Sequence, residues 1–173
     1  SYLGDVDGRK MVDLLAALEL AMDSKGPRML RVLTQRPSSK DLGIASQAPS
    51  TNAFQKAFAR SLIQLAQEDK RIVGLTAAMA TGCSLDDFRA VFPERFFDVG
   101  IAEPHAITAA AGMATQGLRP VVNMYSTFAQ RAVDQWIHDV ALQRLPVILC
   151  LDRAGIVGED GSTHHGVFDL ALF

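Results

Sequence analysis

The hydrophobic pattern of this chain alternates between helical spacing and short apolar runs. Near the start, turn-forming residues fill Ser1 to Gly8, and a helical stripe covers Lys10 to Ser24. An apolar run predicts a strand at Met29 to Thr34. Because one helix and one strand are too little to close a core, we interpret residues 1–35 as part of another domain.

Polar residues then interrupt this pattern, and a more regular one follows. Residues 36–51 are rich in Ser, Pro and Gly without a sustained period, which predicts a linker. Beyond it, amphipathic stretches alternate with short apolar runs, which predicts helices alternating with strands. The predicted helices are Asn52–Glu68, Ser84–Val91 with Ser84 as N-cap, Glu103–Gln116, Thr127–Gln143 and one from Val167, and the predicted strands are Arg71–Ala77, Arg95–Val99, Arg119–Tyr125 and Pro146–Leu151.

This alternation defines the expected fold class, α/β. Strand sequences such as Val121-Val122 are apolar on both faces, which is typical of strands that helices cover on both sides. We therefore expect residues 52–173 to form one domain, with a parallel sheet and helices on both of its faces.

The composition is that of a globular protein, because 49% of the 173 residues are hydrophobic and 21% are charged. The net charge of −2 does not indicate a nucleic-acid or membrane-surface binder. Two cysteines, Cys83 and Cys150, are too few for a disulfide framework, so we expect free thiols in a reducing, cytoplasmic compartment. No signal peptide or apolar run of transmembrane length is visible.

Side chains that carry chemistry follow three of the predicted strands. In a parallel sheet the carboxyl ends of the strands share one edge, which is where ligands bind. The prediction therefore brings two carboxylates, a phenol, a phenyl ring, two guanidinium groups and two imidazoles to one rim, which is typical of a functional site. These side chains belong to Glu103, Tyr125, Phe128, Arg131, Arg153, Asp160, His164 and His165.

Each of these residues also has a purely structural interpretation. Glu103 stands beside Pro104 in the first turn of a helix, where the helix dipole favours an acid. Phe128 has the helical spacing of a core residue. The adjacent His164 and His165 are poorly placed to bind one metal ion together, and no zinc-type Cys/His spacing is present, so no metal ligand is predicted.

Four blocks of the sequence, taken together, resemble the 1-deoxy-D-xylulose-5-phosphate synthase family of thiamine-diphosphate enzymes, which are related to transketolase. These blocks are Asp98–His105, Tyr125–Arg131, Asp134–Ala141 and Asp152–Gly166. The resemblance implies that residues 52–173 are the family's pyrimidine-binding domain. A further similarity, at Tyr2–Gly8 and Gly26-Pro27, implies that residues 1–35 are the last part of its diphosphate-binding domain.

The resemblance implies a cofactor, thiamine diphosphate, and three residues that hold it. Glu103 would hydrogen-bond the pyrimidine ring and assist activation, Phe128 would stack on that ring, and Ile101 would lie beside it. The family also uses Mg²⁺, but its Gly-Asp-Gly…Asn ligand motif is missing from this sequence. The protein would supply position and electrostatics to a cofactor that carries the chemistry.

The resemblance also implies two substrates, pyruvate and D-glyceraldehyde 3-phosphate, which condense with loss of carbon dioxide. Tyr125 and Arg153 would bind the phosphate, for which a guanidinium fork is well suited. Arg131 would face the carboxylate of the donor. His164 and Asp160 would manage protons near the reacting carbons, with His164 also contacting substrate.

Two departures from the family pattern leave alternatives open. Pro104 follows the implied catalytic Glu where the family has Gln, and Arg9 stands where the family has His. The chain is predicted to be part of the synthase and inactive alone, an inactive relative that folds and associates, or a subunit of a split transketolase-like enzyme. As partners we expect a second copy in a homodimer or the enzyme's other domains, in the cytoplasm, or in a plastid if the source is a plant or alga.

Overall fold

The computed structural model describes residues 2–7, 16, 29–33, 53–158 and 160–172 of the chain. The chain divides into two compact units, Ser1–Ser50 and Thr51–Phe173. Each unit contains its own sheet. The predicted linker at 36–51 lies wholly outside the described residues, so it stays a prediction.

The first unit contains two parallel strands, β1 (Tyr2–Asp7) and β2 (Met29–Leu33). Asp5 pairs with Arg31 in their register.

Strand β2 confirms the predicted strand, whereas the turn-like interpretation of Ser1 to Gly8 is wrong. Gly and Asp are poor strand formers by themselves, but pairing with a neighbouring strand outweighs this local preference. Of the predicted helix from Lys10 to Ser24, the structure describes only Ala16, which is helical.

The second unit contains a four-stranded parallel sheet in the spatial order β4-β3-β5-β6. Its strands are β3 (Ile72–Thr76), β4 (Phe96–Asp98), β5 (Arg119–Tyr125) and β6 (Ile148–Asp152). All four coincide with predicted strands, with small differences at their ends. The expected α/β class with a parallel sheet is confirmed.

Helices connect these strands and cover the sheet. They are α1 (Ala53–Glu68), α2 (Asp86–Val91), α3 (Glu103–Thr115), α4 (Ser126–Ala129), α5 (Val133–Gln135) and α6 (Asp169–Leu172), with 3₁₀ turns at Pro93–Arg95, Gln130–Ala132 and Ser162–His164 and a π-helical turn at Trp136–Ala141. Helices α1 and α3 confirm the two predicted helices at these positions.

The predicted helix from Thr127 to Gln143 is wrong as a single element. A 3₁₀ turn at Gln130–Ala132 divides it, and a π-helical turn follows. The stretch contains no Gly or Pro, so the local sequence carries no break signal. The break coincides with a tertiary contact, from Arg131 to Glu103 of α3, which a periodic pattern cannot reveal.

The predicted N-cap at Ser84 is also wrong. Helix α2 begins at Asp86, Leu85 occupies the cap position, and no side chain caps the helix. Ser84 has a left-handed backbone with φ of 55°. A capping hydroxyl is worth about 1 kcal/mol, less than the roughly 2 kcal/mol gained by burying a leucine, and Leu85 is fully buried here.

The core lies on both faces of the sheet. Alternate residues of β5 and β6 point to opposite sides. One face packs Met124 and Leu149 against Ile107 and Trp136, and the other brings Val121 and Cys150 to Phe58 and Leu62 of α1. Helices therefore cover both faces, as predicted.

Substitution of Phe88 tests how much this core contributes to stability. It is fully buried on α2, and a Cβ added at Gly74 of β3 would lie 3.1 Å from its ring. We expect Phe88→Ala to lower the free energy of unfolding by about 3–5 kcal/mol, since it leaves a cavity. Urea denaturation followed by circular dichroism measures this. The control Leu142→Ala removes a side chain that is 68% exposed and should change stability by less than about 0.5 kcal/mol. Equal changes in the free energy of unfolding for the two variants would contradict the assignment of Phe88 to the core.

Candidate active site

Glu103 lies at the carboxyl edge of the sheet, at the start of α3. Gly100, with φ of 75°, turns the chain between β4 and this helix. The Asp98 carboxylate at the end of β4 accepts hydrogen bonds from the backbone N–H groups of Gly100 and Ala78, at 3.0 and 2.8 Å. These bonds tie the turn before α3 to the turn after β3, and they set where Glu103 enters the helix.

The Glu103 carboxylate is buried, with 3% of its side chain exposed. Its partner is Arg131, whose Nη1 donates to Oε1 at 2.9 Å. A buried charge without a partner is costly, so this ion pair is what allows a carboxylate at this position. The Arg131 guanidinium also lies 5.2 Å from the centre of the Phe128 ring, a cation–π distance.

Three rings form a cluster beside this pair. The Tyr125 and Phe128 rings are stacked with centroids 5.9 Å apart. The His164 imidazole meets Phe128 edge-on at 5.3 Å and lies 6.2 Å from Tyr125. Burial raises the pKa of the Tyr125 phenol, so its hydroxyl stays a hydrogen-bond donor at neutral pH.

A second ion pair lies beside the Tyr125 ring of this cluster. Arg153 pairs with Asp160 at 2.9 Å, and its guanidinium lies 4.0 Å from the centre of the Tyr125 ring. Arg153 has a left-handed backbone with φ of 59°, which is uncommon for a residue other than glycine. Such conformations concentrate at functional sites, where surrounding contacts hold them.

The structure thus joins seven of the nine predicted site residues into one network of contacts. Ile101, expected beside the cofactor, lies outside it, in the turn before α3 with 82% of its surface exposed. His165 also lies outside the network, and its Nδ1 accepts the backbone N–H of Val157 at 3.2 Å. The roles assigned to the predicted residues remain predictions. The network consists of Glu103, Arg131, Phe128, Tyr125, His164, Arg153 and Asp160.

Sequence reasoning missed a pair of residues that form a hydrogen bond beside this network. Ser126, directly after Tyr125, is fully buried and donates to the carboxylate of Asp169 at 2.5 Å. Asp169 is the first residue of α6, so by sequence it reads as an ordinary helix-start acid. Its contact spans 43 positions of the chain, and a local pattern carries no signal for it.

The residues present fit an aminopyrimidine. A buried carboxyl can share a proton with a ring nitrogen, and Phe128 offers an aromatic face that is only partly covered. In the described ranges 53–158 and 160–172, no three His, Cys, Asp or Glu side chains group in a way that could hold a metal ion. Nor does any helix in that part of the chain have the length and apolar character needed to cross a membrane.

The chain belongs to the transketolase pyrimidine-binding domain family, because the model for "Transketolase, pyrimidine binding domain" matches residues 50–173. This confirms the resemblance inferred from the sequence. Among curated proteins, the 1-deoxy-D-xylulose-5-phosphate synthase of Gloeobacter violaceus is 49% identical over 191 aligned residues, covering 99% of this chain and 30% of that protein. The chain therefore spans about 30% of the length of the curated relatives it matches.

Two solved structures show the same fold. One is described as "Split gene transketolase, inactive beta4 tetramer", with 34% identity and a TM-score of 0.59 over 68% of this chain and 38% of that one. The other is transketolase from Leishmania mexicana, with 25% identity and a TM-score of 0.61 over 78% of this chain and 21% of that one. These neighbours confirm the thiamine-diphosphate-binding type of fold with a parallel sheet.

The Cys83 thiol is buried and the Cys150 thiol is half-buried, and both make stability depend on pH. Burial, and then the nearby Asp152 carboxylate, raises the pKa of Cys150 from 9.0 to about 11, and the same two causes raise the pKa of Cys83 further. Above pH 9 the unfolded chain therefore releases protons that the folded chain keeps. We expect the free energy of unfolding to fall with rising pH, by about 1.4 kcal/mol per pH unit for each thiol.

Urea denaturation between pH 8 and 11 measures this slope. Cys150→Ala should reduce it by the contribution of one proton, whereas Leu142→Ala, which alters only an exposed position, should leave it unchanged. An unchanged slope in the Cys150 variant would show that this thiol is not held protonated by the fold.

Proposed function

We propose that this chain is the pyrimidine-binding part of a 1-deoxy-D-xylulose-5-phosphate synthase, and that it works together with the rest of that enzyme. The observation that carries the proposal is the buried Glu103 carboxylate, paired with Arg131 beside the Phe128 ring. The identity with named synthases over almost the whole chain supports the choice of this activity within the family.

Thiamine diphosphate is the cofactor that this site suits, and when bound it would supply the nucleophilic carbon that carries the two-carbon unit. Glu103 is placed to form a hydrogen bond with the pyrimidine ring and exchange a proton with it, because its carboxyl group is shielded from water at the start of α3. Phe128 would provide the stacking face. Mg²⁺ and its ligands belong to the part of the enzyme that holds the diphosphate.

The acceptor substrate would be D-glyceraldehyde 3-phosphate. Arg153 carries a positive charge at the rim, with 27% of its side chain exposed, and the protonated Tyr125 hydroxyl adds a donor beside it. Both are suited to phosphate oxygens. Asp160 holds Arg153 in place and lies on the same loop as His164, so a carboxylate and an imidazole are available to move protons near the acceptor.

The donor substrate would be pyruvate. The Arg131 side chain is 56% exposed, so its guanidinium reaches both the buried Glu103 and the open side of the site. A guanidinium has five N–H donors in a fork, and Glu103 takes Nη1. Arg131 is therefore suited to meet a second carboxylate, that of the donor, without releasing the first.

A second candidate is an associating domain without activity. The favouring observation is the structural neighbour at 34% identity whose description is an inactive tetramer of a split gene transketolase. Pro104, at the second position of α3, also replaces the side-chain amide expected there. In this reading the chain forms a homo-oligomer, and the site residues are inherited but unused.

A chimera distinguishes the two candidates. This chain replaces the aligned segment of the Gloeobacter violaceus synthase, and formation of 1-deoxy-D-xylulose 5-phosphate from the two substrates is measured. We expect an active chimera, in which Glu103→Gln lowers kcat by about 10²–10⁴-fold, since the amide cannot exchange a proton. Glu94→Gln is the matched control, because the Glu94 side chain is 72% exposed and should leave kcat unchanged. A folded chimera without activity would support the associating domain instead.

Arg153 tests the substrate assignment in the same chimera. We expect Arg153→Ala to raise KM for D-glyceraldehyde 3-phosphate by about 10- to 100-fold, because a charged hydrogen bond to the phosphate is lost. KM for pyruvate should change less. Arg89→Ala removes an exposed arginine paired with Asp86 and serves as control. Equal changes in the two KM values would argue against a phosphate contact.

A further inference from the structure

The Ser126 hydroxyl and the Asp169 carboxylate join two distant parts of the site. Ser126 begins α4, directly after β5, and Asp169 begins α6, beyond the long loop that follows β6. The donor Ser126 Oγ lies 2.5 Å from Asp169 Oδ1, and the residue that donates is fully buried. A hydrogen bond to a carboxylate is about twice as strong as one between neutral groups, and the Ser126 side of this bond is shielded from water.

Gly166 also packs against Ser126. A Cβ added there would lie 2.0 Å from Ser126 Oγ and 2.9 Å from the Arg153 carbonyl oxygen, so the Gly166 backbone rests directly on Ser126. Gly166 also exchanges two backbone hydrogen bonds with Gly155, both at 2.8 Å. These bonds bring the two ends of the loop from Arg153 to Gly166 together at the side chain of Ser126.

His164 lies two residues before Gly166, and Tyr125 lies immediately before Ser126. Any displacement of Gly166 from Ser126 therefore moves the His164 ring relative to the Tyr125 and Phe128 rings. A further bond between these segments, from the Thr127 hydroxyl to the Thr163 carbonyl, is long at 3.4 Å and correspondingly weak. The Ser126–Asp169 bond is the shorter and charged connection between the two segments.

We propose that Asp169 is a positioning residue, which acts through Ser126 and Gly166 to hold His164 against the Phe128 ring. Whether the placement of His164 against Phe128 matters for catalysis rests on the proposed function. That Asp169 maintains this placement does not. Asp169 would act indirectly, through the Ser126 hydroxyl that it binds. It sets the distance between the loop that carries Asp160 and His164 and the rings at the end of β5.

The test is the NMR signal of the His164 ring in the intact chain, without cofactor or substrate, so failure of the proposed function does not affect it. The edge-on Phe128 ring shifts the ring-proton resonances of His164 away from those of an exposed imidazole. His164→Gln assigns the signal among the four histidines. We expect Asp169→Ala and Ser126→Ala each to move it toward the exposed value, and the double variant to move it no further.

Two further variants separate positioning from general loosening. Asp169→Asn keeps an oxygen that accepts the Ser126 hydroxyl, so it should restore most of the original shift. Asp139→Ala removes a carboxylate that accepts the Thr108 hydroxyl at 2.5 Å elsewhere in the fold, so it should leave the His164 signal in place. Unmoved His164 resonances in both folded alanine variants, or an equal movement in Asp139→Ala, would overturn the proposal.

Discussion

A buried carboxylate needs a partner, and much of this site follows from how Glu103 obtains one. Arg131 supplies it from a 3₁₀ turn that interrupts the helical stretch after β5. The guanidinium that neutralises Glu103 also lies beside the Phe128 ring. Charge compensation therefore brings an acid, a cation and an aromatic face together, and these are the parts that a charged, aromatic cofactor requires.

The rest of the site extends from this pair by contacts between rings and charges. The Tyr125 ring stacks on Phe128, and the Arg153 guanidinium lies over Tyr125 and pairs with Asp160. Each arginine thus meets both a carboxylate and a ring. Each end of the site therefore holds a guanidinium whose charge a carboxylate balances, with aromatic rings between the two ion pairs.

Much of the second unit was predictable because the physical signals are local. Apolar runs bounded by polar residues mark the four strands, and parallel strands must bring their ends to one edge. The placement of Glu103, Tyr125 and Arg153 at that edge follows from connectivity. The break at Gln130–Ala132 and the left-handed turn at Ser84 were not predictable, because they depend on what packs against them.

The sequence by itself determined the α/β class, the family and the set of side chains available for chemistry, since periodicity and motifs are properties of the chain. Only the tertiary structure decided which of these side chains meet. It paired Glu103 with Arg131, turned Ile101 outward and joined Ser126 to Asp169. The reason is that such contacts connect residues tens of positions apart, and their geometry depends on the packing of whole elements rather than on local preference.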